Sequence, residues 1–151
     1  MKFAPLLSLA SFSSKWRSAP AKKTPPHLAL GARGEKLARR FLRQQGYKIL
    51  YRNFRARRGG EVDLVCRDDQ TLVFVEVKTR SSENFGRPFD AVNLAKQKLI
   101  ARGALAWLDL LGNPDDILWR FDVVEIVLAN DGAPKFELLR DAFPLPAPLR
   151  Y

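Results

Sequence analysis

The sequence predicts one globular domain that combines two long α-helices with a strand-rich centre. The chain has 151 residues, of which 46% are hydrophobic, and this is enough for one domain with a sizeable core. Residues 28–45 carry apolar side chains at helical spacing, and residues 91–111 form a second long helical segment. Between them, residues 60–65 and 72–80 alternate in the manner of β-strands and are separated by a short polar turn. A helix, a hairpin, a helix and further strands are therefore expected in that order.

The charge balance points to a polyanionic partner. Lysine and arginine number 26 against 16 aspartate and glutamate residues, so the formal net charge is +10. Such a balance favours nucleic acid first and an anionic membrane surface second. The single cysteine, Cys66, excludes an internal disulfide and cysteine-based zinc sites, and it suits the reducing cytoplasm. We expect Cys66 to pack in the core and the protein to be cytoplasmic.

The two ends of the chain differ from its centre in composition. Residues 1–26 contain no acidic residue and are rich in Ser, Ala, Pro and Lys. They resemble a weak secretory signal, but the apolar run is short and is broken by Pro5, so a basic, disordered extension is favoured. The domain is expected over residues 27–143, and residues 144–151 form a proline-rich tail. No apolar run is long enough to predict a membrane span.

The first helix carries one acidic residue near its apolar face. Its apolar stripe consists of Leu37, Ala38, Phe41 and Leu42, and Gly46 marks its end. Glu35 projects from the edge of that stripe. Two explanations stay open from periodicity alone: a carboxylate that stabilises the first part of the helix, or a side chain that reaches the sheet as a ligand.

A basic stretch follows and includes the strand predicted at residues 47–54. Ten basic residues and one acidic residue lie between Arg33 and Arg58. Such a stretch neutralises phosphates in proteins that bind nucleic acid, although a solubilising surface is the plain alternative. No groove-reading helix and no aromatic platform is evident. The residues expected on the nucleic-acid-binding surface are Arg33, Arg40, Arg52, Arg55, Arg57, Arg58, Arg80 and Lys96.

The central hairpin gathers like charges on one face. If a four-residue loop, Arg67–Gln70, closes symmetrically, Glu61 lies opposite Glu76 and Asp63 lies diagonally beside it. Lys78 shares their face. Carboxylates placed cross-strand repel one another unless a cation joins them. The hairpin therefore predicts a divalent metal site, because Mg²⁺ takes oxygen ligands and keeps several waters.

The C-terminal part of the chain supplies the remaining elements. A mobile loop is expected at residues 81–88. Asp90 is the predicted N-cap of a helix over 91–111, which ends at Gly112. Strands are predicted at Ile117–Leu128 and at Phe136–Arg140.

Two kinds of motif in the chain point to a known family. The motif Asp63…Glu76-Val77-Lys78 is similar to the signature of the PD-(D/E)xK nuclease superfamily, with Val62 in place of the usual proline. Further motifs are Gly31–Ala38, Gly46-Tyr47, Arg52–Phe54, Gly60–Leu64, Phe74–Arg80, Lys96-Gln97, Ala104, Trp107-Leu108 and Arg120–Val124. Together these motifs resemble one family of bacterial proteins, the YraN-like proteins, over residues 28–143.

The resemblance implies an α/β, restriction-endonuclease-like three-layer fold, with a mixed sheet flanked by helices, similar to archaeal Holliday-junction resolvases. It implies that Asp63 and Glu76 bind Mg²⁺ or Mn²⁺, that Lys78 is the catalytic lysine, and that Glu35 is an acid near the metal. The expected activity is a metal-dependent endonuclease acting on structured or branched DNA, with DNA favoured over RNA. A homodimer stays open. The alternative is a non-catalytic nucleic-acid-binding protein that keeps the fold and acts through a partner.

Overall fold

The structure, a computed structural model, describes residues 25–81, 92–129 and 132–147. Over these residues it contains two helices and five strands. In chain order they are α1 (Pro26–Gln44), β1 (Lys48–Arg55), β2 (Glu61–Asp68), β3 (Thr71–Arg80), α2 (Leu94–Leu110), β4 (Leu118–Val127) and β5 (Lys135–Leu139).

The strands form one mixed sheet in the order β1-β2-β3-β4-β5. The first three strands are antiparallel, β3 and β4 are parallel, and β4 and β5 are antiparallel. Helix α1 packs on one face of the sheet and α2 on the other, so two separate apolar clusters fill the molecule. The parallel pair follows from α2, because parallel strands need a long crossover between them. The predicted three-layer α/β fold is confirmed.

Helix α1 lies on the sheet through its predicted apolar stripe. Ala38 and Leu42 are fully buried against the sheet. The helix comes closest at Gly34, where an added Cβ would lie 1.7 Å from Oγ1 of Thr79 on β3. Gly46 has a φ of +91°, the left-handed conformation that ends a helix. The glycine contact holds the first half of α1 against the end of β3.

Helix α2 begins later than the sequence predicted. It starts at Leu94, and its N-cap is Asn93, whose side chain accepts a hydrogen bond from the backbone N–H of Lys96 at 3.0 Å. The predicted start at Ala91 was wrong, because the cap is Asn93, three residues after the predicted cap, and its side chain satisfies one of the first free N–H groups. Asp90 and Ala91 themselves lie outside the described residues, as does most of the loop predicted at 81–88.

The β2–β3 hairpin is tighter than the sequence predicted. Its turn consists of Asp69 and Gln70 only, with Asp69 in the left-handed conformation at a φ of +50°. Leu64 lies opposite Val75. The prediction of a four-residue loop with Glu61 opposite Glu76 was therefore wrong by two residues. Continued by one residue, the observed register places Asp63 opposite Glu76.

Strand β2 departs from simple alternation at its start. Val62 packs in the cluster beneath α2, together with Val65, while Leu64 and Cys66 pack beneath α1. Strict alternation would have grouped Val62 with Leu64. Cys66 is buried as predicted, and burial raises the pKa of its thiol to about 12. A thiol in such surroundings stays protonated and acts as core packing.

A buried polar network ties the far end of the sheet together. The Asp122 carboxylate is fully buried and accepts hydrogen bonds from the Tyr47 hydroxyl at 2.8 Å and from Nε of Arg120 at 2.9 Å. Arg120 also binds Asp68 at 2.7 Å, beside the hairpin turn. Because a buried charge is tolerated only when it is paired, the network is a structural clamp.

The C-terminal end of the domain stays packed on the sheet. Phe143 is buried and stacks on Phe121, with ring centroids 4.6 Å apart. The tail predicted from residue 144 is described only as far as residue 147, and the predicted N-terminal extension lies almost wholly outside the described residues. Within the described part of the chain, neither helix is long and apolar enough to cross a membrane.

Candidate active site

Glu76 is the buried centre of the candidate site. It lies in the middle strand of the sheet with 2% of its surface exposed. Burial, together with the nearby negative charge of Asp63, raises the pKa of Glu76 to about 7. Its Oε2 atom has no hydrogen-bond partner among the described residues. A buried carboxylate oxygen without a partner is costly, and such groups mark sites with a further function.

Asp63 lies beside Glu76 where strands β2 and β3 separate. The last printed pair of the ladder is Leu64 with Val75. Beyond it, Oδ2 of Asp63 accepts a hydrogen bond from the backbone N–H of Val77 at 2.9 Å. The Asp63 side chain thus accepts the hydrogen bond that a backbone carbonyl of β2 would otherwise accept, and this bond holds the carboxylate next to Glu76. The structure brings together the two acids that the signature predicted as metal ligands.

Two lysines approach the same oxygen of Glu76. The Nζ atom of Lys78 lies 2.9 Å from Oε1 of Glu76, and the Nζ atom of Lys96, on α2, lies 3.4 Å from it. Both attractions lower the pKa of Glu76, but burial outweighs them. The placement of Lys78 beside the acids agrees with the signature. The close position of Lys96 was not predicted, since only a phosphate contact was expected of it.

Glu61 also binds Lys96 and adds a third cation, Arg55. Its Oε1 atom lies 2.5 Å from Nζ of Lys96, and its Oε2 atom lies 3.1 Å from Nη1 of Arg55. The hydrogen bond from Lys96 lowers the pKa of Glu61, so this carboxylate is ionised at neutral pH. Burial lowers the pKa of Lys96. Its hydrogen bond with Glu61 and the surrounding carboxylates raise this pKa by more than burial lowers it, so Lys96 stays charged. The acids and bases of the site thus alternate, and their charges compensate one another.

Gly60 and Gly103 allow this arrangement by bringing α2 close to the start of β2. A Cβ added at Gly103 would lie 2.9 Å from the carbonyl carbon of Glu61, and one added at Gly60 would lie 2.6 Å from the backbone nitrogen of Gly103. Lys96 lies seven residues before Gly103, about two helical turns along the same helix. No pattern in the sequence predicts the Lys96–Glu61 contact, because the contact depends on this packing of distant segments.

Glu35 is hydrogen-bonded to a residue of strand β1. Its Oε2 atom accepts a hydrogen bond from the side-chain amide of Asn53 at 3.2 Å. Asn53 falls between the pairs Arg52–Leu64 and Phe54–Val62, and so on the part of β1 that faces Asp63. Within the described residues, no three His, Cys, Asp or Glu side chains form a group that could hold a metal ion. A direct metal contact by Glu35 stays a prediction.

The predicted nucleic-acid-binding residues divide into two groups. Three of them are engaged in ion pairs at or near the sheet: Arg55 with Glu61, Lys96 with Glu61 and Glu76, and Arg80 with Glu125. The others have exposed side chains on α1, on β1 and in the β1–β2 turn. These are Arg33, Arg40, Arg52, Arg57 and Arg58.

Sequence reasoning also missed an aromatic cluster between β1 and α2. Trp107 of α2 lies 5.2 Å from the Tyr51 ring and 5.1 Å from the Phe54 ring, measured between centroids. Tyr51 is 44% exposed. Trp107 is more than fifty residues away in the chain, so no local pattern could have shown this cluster.

Comparison with known proteins decides the family. The model described as "Uncharacterised protein family UPF0102" matches residues 34–126. The chain belongs to this family. The UPF0102 family is the YraN-like group, so the family predicted from the sequence motifs is confirmed. The matched range includes all four residues of the predicted catalytic set.

Curated UPF0102 proteins resemble this chain over most of their length. The UPF0102 protein of Geobacter sulfurreducens is 50% identical over 116 residues, which cover 77% of this chain and 89% of that protein. The one from Nocardia farcinica is 47% identical, with coverage of 76% and 89%. The one from Caldicellulosiruptor bescii is 45% identical, with coverage of 76% and 96%. The UPF0102 likeness thus extends over nearly the whole domain.

Proposed function

We propose that this protein is a divalent-metal-dependent endonuclease that hydrolyses phosphodiester bonds in nucleic acid, with structured or branched DNA as its substrate. The observation that carries the proposal is the buried Glu76, which lies next to Asp63 and whose carboxylate touches Lys78. A packed hairpin has no structural need for a buried glutamate next to a second acid. The burial of Glu76 is costly, and costs of this kind are typical of active sites.

The residues present fit a Mg²⁺ or Mn²⁺ ion. Asp63 and Glu76 offer hard oxygen donors, and Oε2 of Glu76 lacks a partner among the described residues. Mg²⁺ is commonly bound by one or two carboxylates together with waters and substrate phosphate, so two carboxylates suffice without a third acidic residue. When bound, such an ion activates water and stabilises the negative charge that develops on the phosphate.

The chain's own residues supply the remaining functions. The Lys78 ammonium, with about a quarter of the side chain exposed, can hold a phosphate oxygen or orient the attacking water beside Glu76. Arg57 and Arg58 lie exposed in the turn that leads into β2 and attract the phosphate backbone without reading its sequence. Substrate would therefore be recognised mainly by charge and shape.

Cleavage of a labelled four-way junction and a labelled flap in Mg²⁺ or Mn²⁺ tests this proposal. Asp63→Ala and Glu76→Ala should abolish cleavage, because each removes a metal ligand. Lys78→Met should slow it by at least about a hundredfold, the usual contribution of a group acting on the transferred proton or developing charge. Asp116→Ala removes an exposed acid far from the site and should cut normally. Binding in Ca²⁺ should survive in every variant.

The proposal fails if the wild type cuts no substrate or if the acid variants cut equally well. A second function then remains, a non-catalytic nucleic-acid-binding protein. One observation favours it: Lys78 and Lys96 both lie against Oε1 of Glu76 and compensate part of its charge without any metal. Binding without cleavage would identify that second function.

A further inference from the structure

Strand β1 presents an exposed aromatic side chain at the edge of the sheet. Because β1 is an outermost strand, six of its eight residues are exposed. Tyr51 is opposite Val65 and Phe54 is opposite Val62, and both valines pack beneath α2. Paired residues share a face, so Tyr51 and Phe54 lie on the α2 side of the strand.

The cluster supports the Tyr51 ring from behind. Phe54 and Trp107 are half-buried against the core, and their rings meet edge to face at 5.1 Å. Tyr51 lies 5.2 Å from Trp107 and 6.1 Å from Phe54. The ring is therefore held in place although 44% of the residue is exposed. Because the ring is already immobilised, little side-chain conformational entropy is lost when another flat ring stacks on it.

Positive charge surrounds this ring on both sides along the strand. Lys48 precedes Tyr51 in the strand and lies opposite Arg67 of β2 in the sheet. Arg55 follows it and binds Glu61, which in turn contacts Lys96 at the candidate active site. Strand β1 contains no acidic residue. A polyanion lying along the strand would pass from the Tyr51 ring to Arg55 and Glu61, which connects to the candidate active site through Lys96.

We infer that Tyr51 is a stacking site for an unpaired base, and that single-stranded nucleic acid lies along β1 towards the active site. Only an unpaired base can offer its face to a side chain, while its phosphates meet the basic residues of the strand. The inference rests on the proposed function for the class of ligand. It adds that the bound substrate has a single-stranded arm, such as a flap.

Binding to oligonucleotides in the presence of EDTA tests the inference apart from cleavage. The two probes are a fluorescein-labelled oligothymidylate and an abasic oligonucleotide of the same length, which keeps the phosphates and lacks the bases. For Tyr51→Ala we expect an increase in Kd of about tenfold on oligothymidylate and less than about twofold on the abasic probe. Tyr51→Phe keeps the ring and should bind both probes as the wild type does.

Tyr51→Leu is a further variant, which keeps an apolar side chain against Trp107 should alanine loosen the fold. The inference is overturned if the wild type binds the two probes equally, or if the non-aromatic variants lose affinity for both probes to the same extent. It is also overturned if Tyr51→Ala binds normally but converts a dimer to a monomer in sedimentation, since the surface would then join two copies of this chain. Failure of cleavage with normal base-dependent binding would reject the endonuclease and keep the stacking site.

Discussion

Glu76 is a carboxyl group that the fold removes from water, which would otherwise stabilise its ionised form. The residue is 2% exposed and is next to Asp63, and both effects favour its protonated form. Lys78 and Lys96 oppose them from one side only, because both contact Oε1. The pKa near 7 therefore leaves Glu76 close to the balance between its two forms at neutral pH. A cation placed between the two acids would shift that balance to the ionised form.

The raised pKa of Glu76 predicts how stability depends on pH. Because the pKa is higher in the folded state than in the unfolded chain, the stabilisation is complete below about pH 4.5 and is lost as pH rises through about 7. Glu76→Gln should lack this loss. In EDTA, the free energy of unfolding of the wild type should fall relative to Glu76→Gln by on the order of 2–3 kcal/mol between about pH 5 and about pH 8. Urea unfolding at several pH values measures this, and parallel curves for the two proteins would contradict it.

At the level of elements, two close glycine contacts fix where the helices lie on the sheet. Gly34 brings α1, and with it Glu35, against Thr79 of β3. Gly103 brings α2, and with it Lys96, against the start of β2. A side chain at either position would require one layer of the fold to move. The site thus depends on packing as well as on the signature residues.

Gly34→Ala and Gly31→Ala separate packing from helix propensity. Both glycines lie in α1, but an added Cβ meets Oγ1 of Thr79 at 1.7 Å in the first case and nothing within 4 Å in the second. Gly34→Ala should reduce the free energy of unfolding by about 1–3 kcal/mol, as overpacking does. Gly31→Ala should be neutral or stabilising by up to about 1 kcal/mol. Denaturant unfolding compares the two, and equal effects would show that the contact does not matter.

Hydrophobic spacing was enough to predict which segments form helices and strands, but it was not enough for register. The helix at Ala38 and Leu42 and the strands of the hairpin lie where the spacing placed them. The two-residue turn was missed because Asp69 adopts a left-handed conformation that the neighbouring residues in the sequence do not predict. The N-cap was missed because Asn93 and Asp90 are equally good candidates.

The candidate site was predictable only for residues that share a strand or a hairpin. Alternation and the signature motif placed Asp63, Glu76 and Lys78 together. The contacts of Lys96 with Glu61, and of Asn53 with Glu35, join segments that lie far apart in sequence. Such contacts follow from how the helices pack on the sheet, and one sequence gives no direct measure of that packing.

Across the molecule, which has a formal charge of +10, some basic side chains are ion-paired with the protein's own carboxylates and others are exposed to solvent. Arg55 and Arg120 are engaged by carboxylates of the fold. Arg57 and Arg58 are exposed in a turn at the start of β2, close to the candidate site. These two arginines are therefore better suited than Arg55 for testing phosphate contacts, because changing Arg55 would also disturb Glu61.

Reversing the charge of Arg57 and Arg58 should weaken nucleic-acid binding whatever its sequence. Each lost phosphate contact should reduce the slope of log K against log salt by about 0.7–0.9, depending on the strand state of the probe. Lys135→Glu with Arg140→Glu makes the same change in net charge in β5 and directly after it, at the opposite edge of the sheet, where the exposed Arg140 makes a long, 3.8 Å contact with Asp68. That control should retain most of the affinity and the salt slope. An equal loss in both double variants would indicate a general charge effect instead of a binding surface.

Calorimetric titration with Mn²⁺ tests whether Asp63 and Glu76 form a cation site. The wild type should bind one ion, while Asp63→Asn and Glu76→Gln should not, because each replaces a carboxylate ligand by an amide. Lys78→Met should still bind the ion, and so should Asp116→Asn, which alters an exposed acid away from the site. Absence of binding by the folded wild type, or unchanged binding by Glu76→Gln, would show that these two acids do not form a cation site.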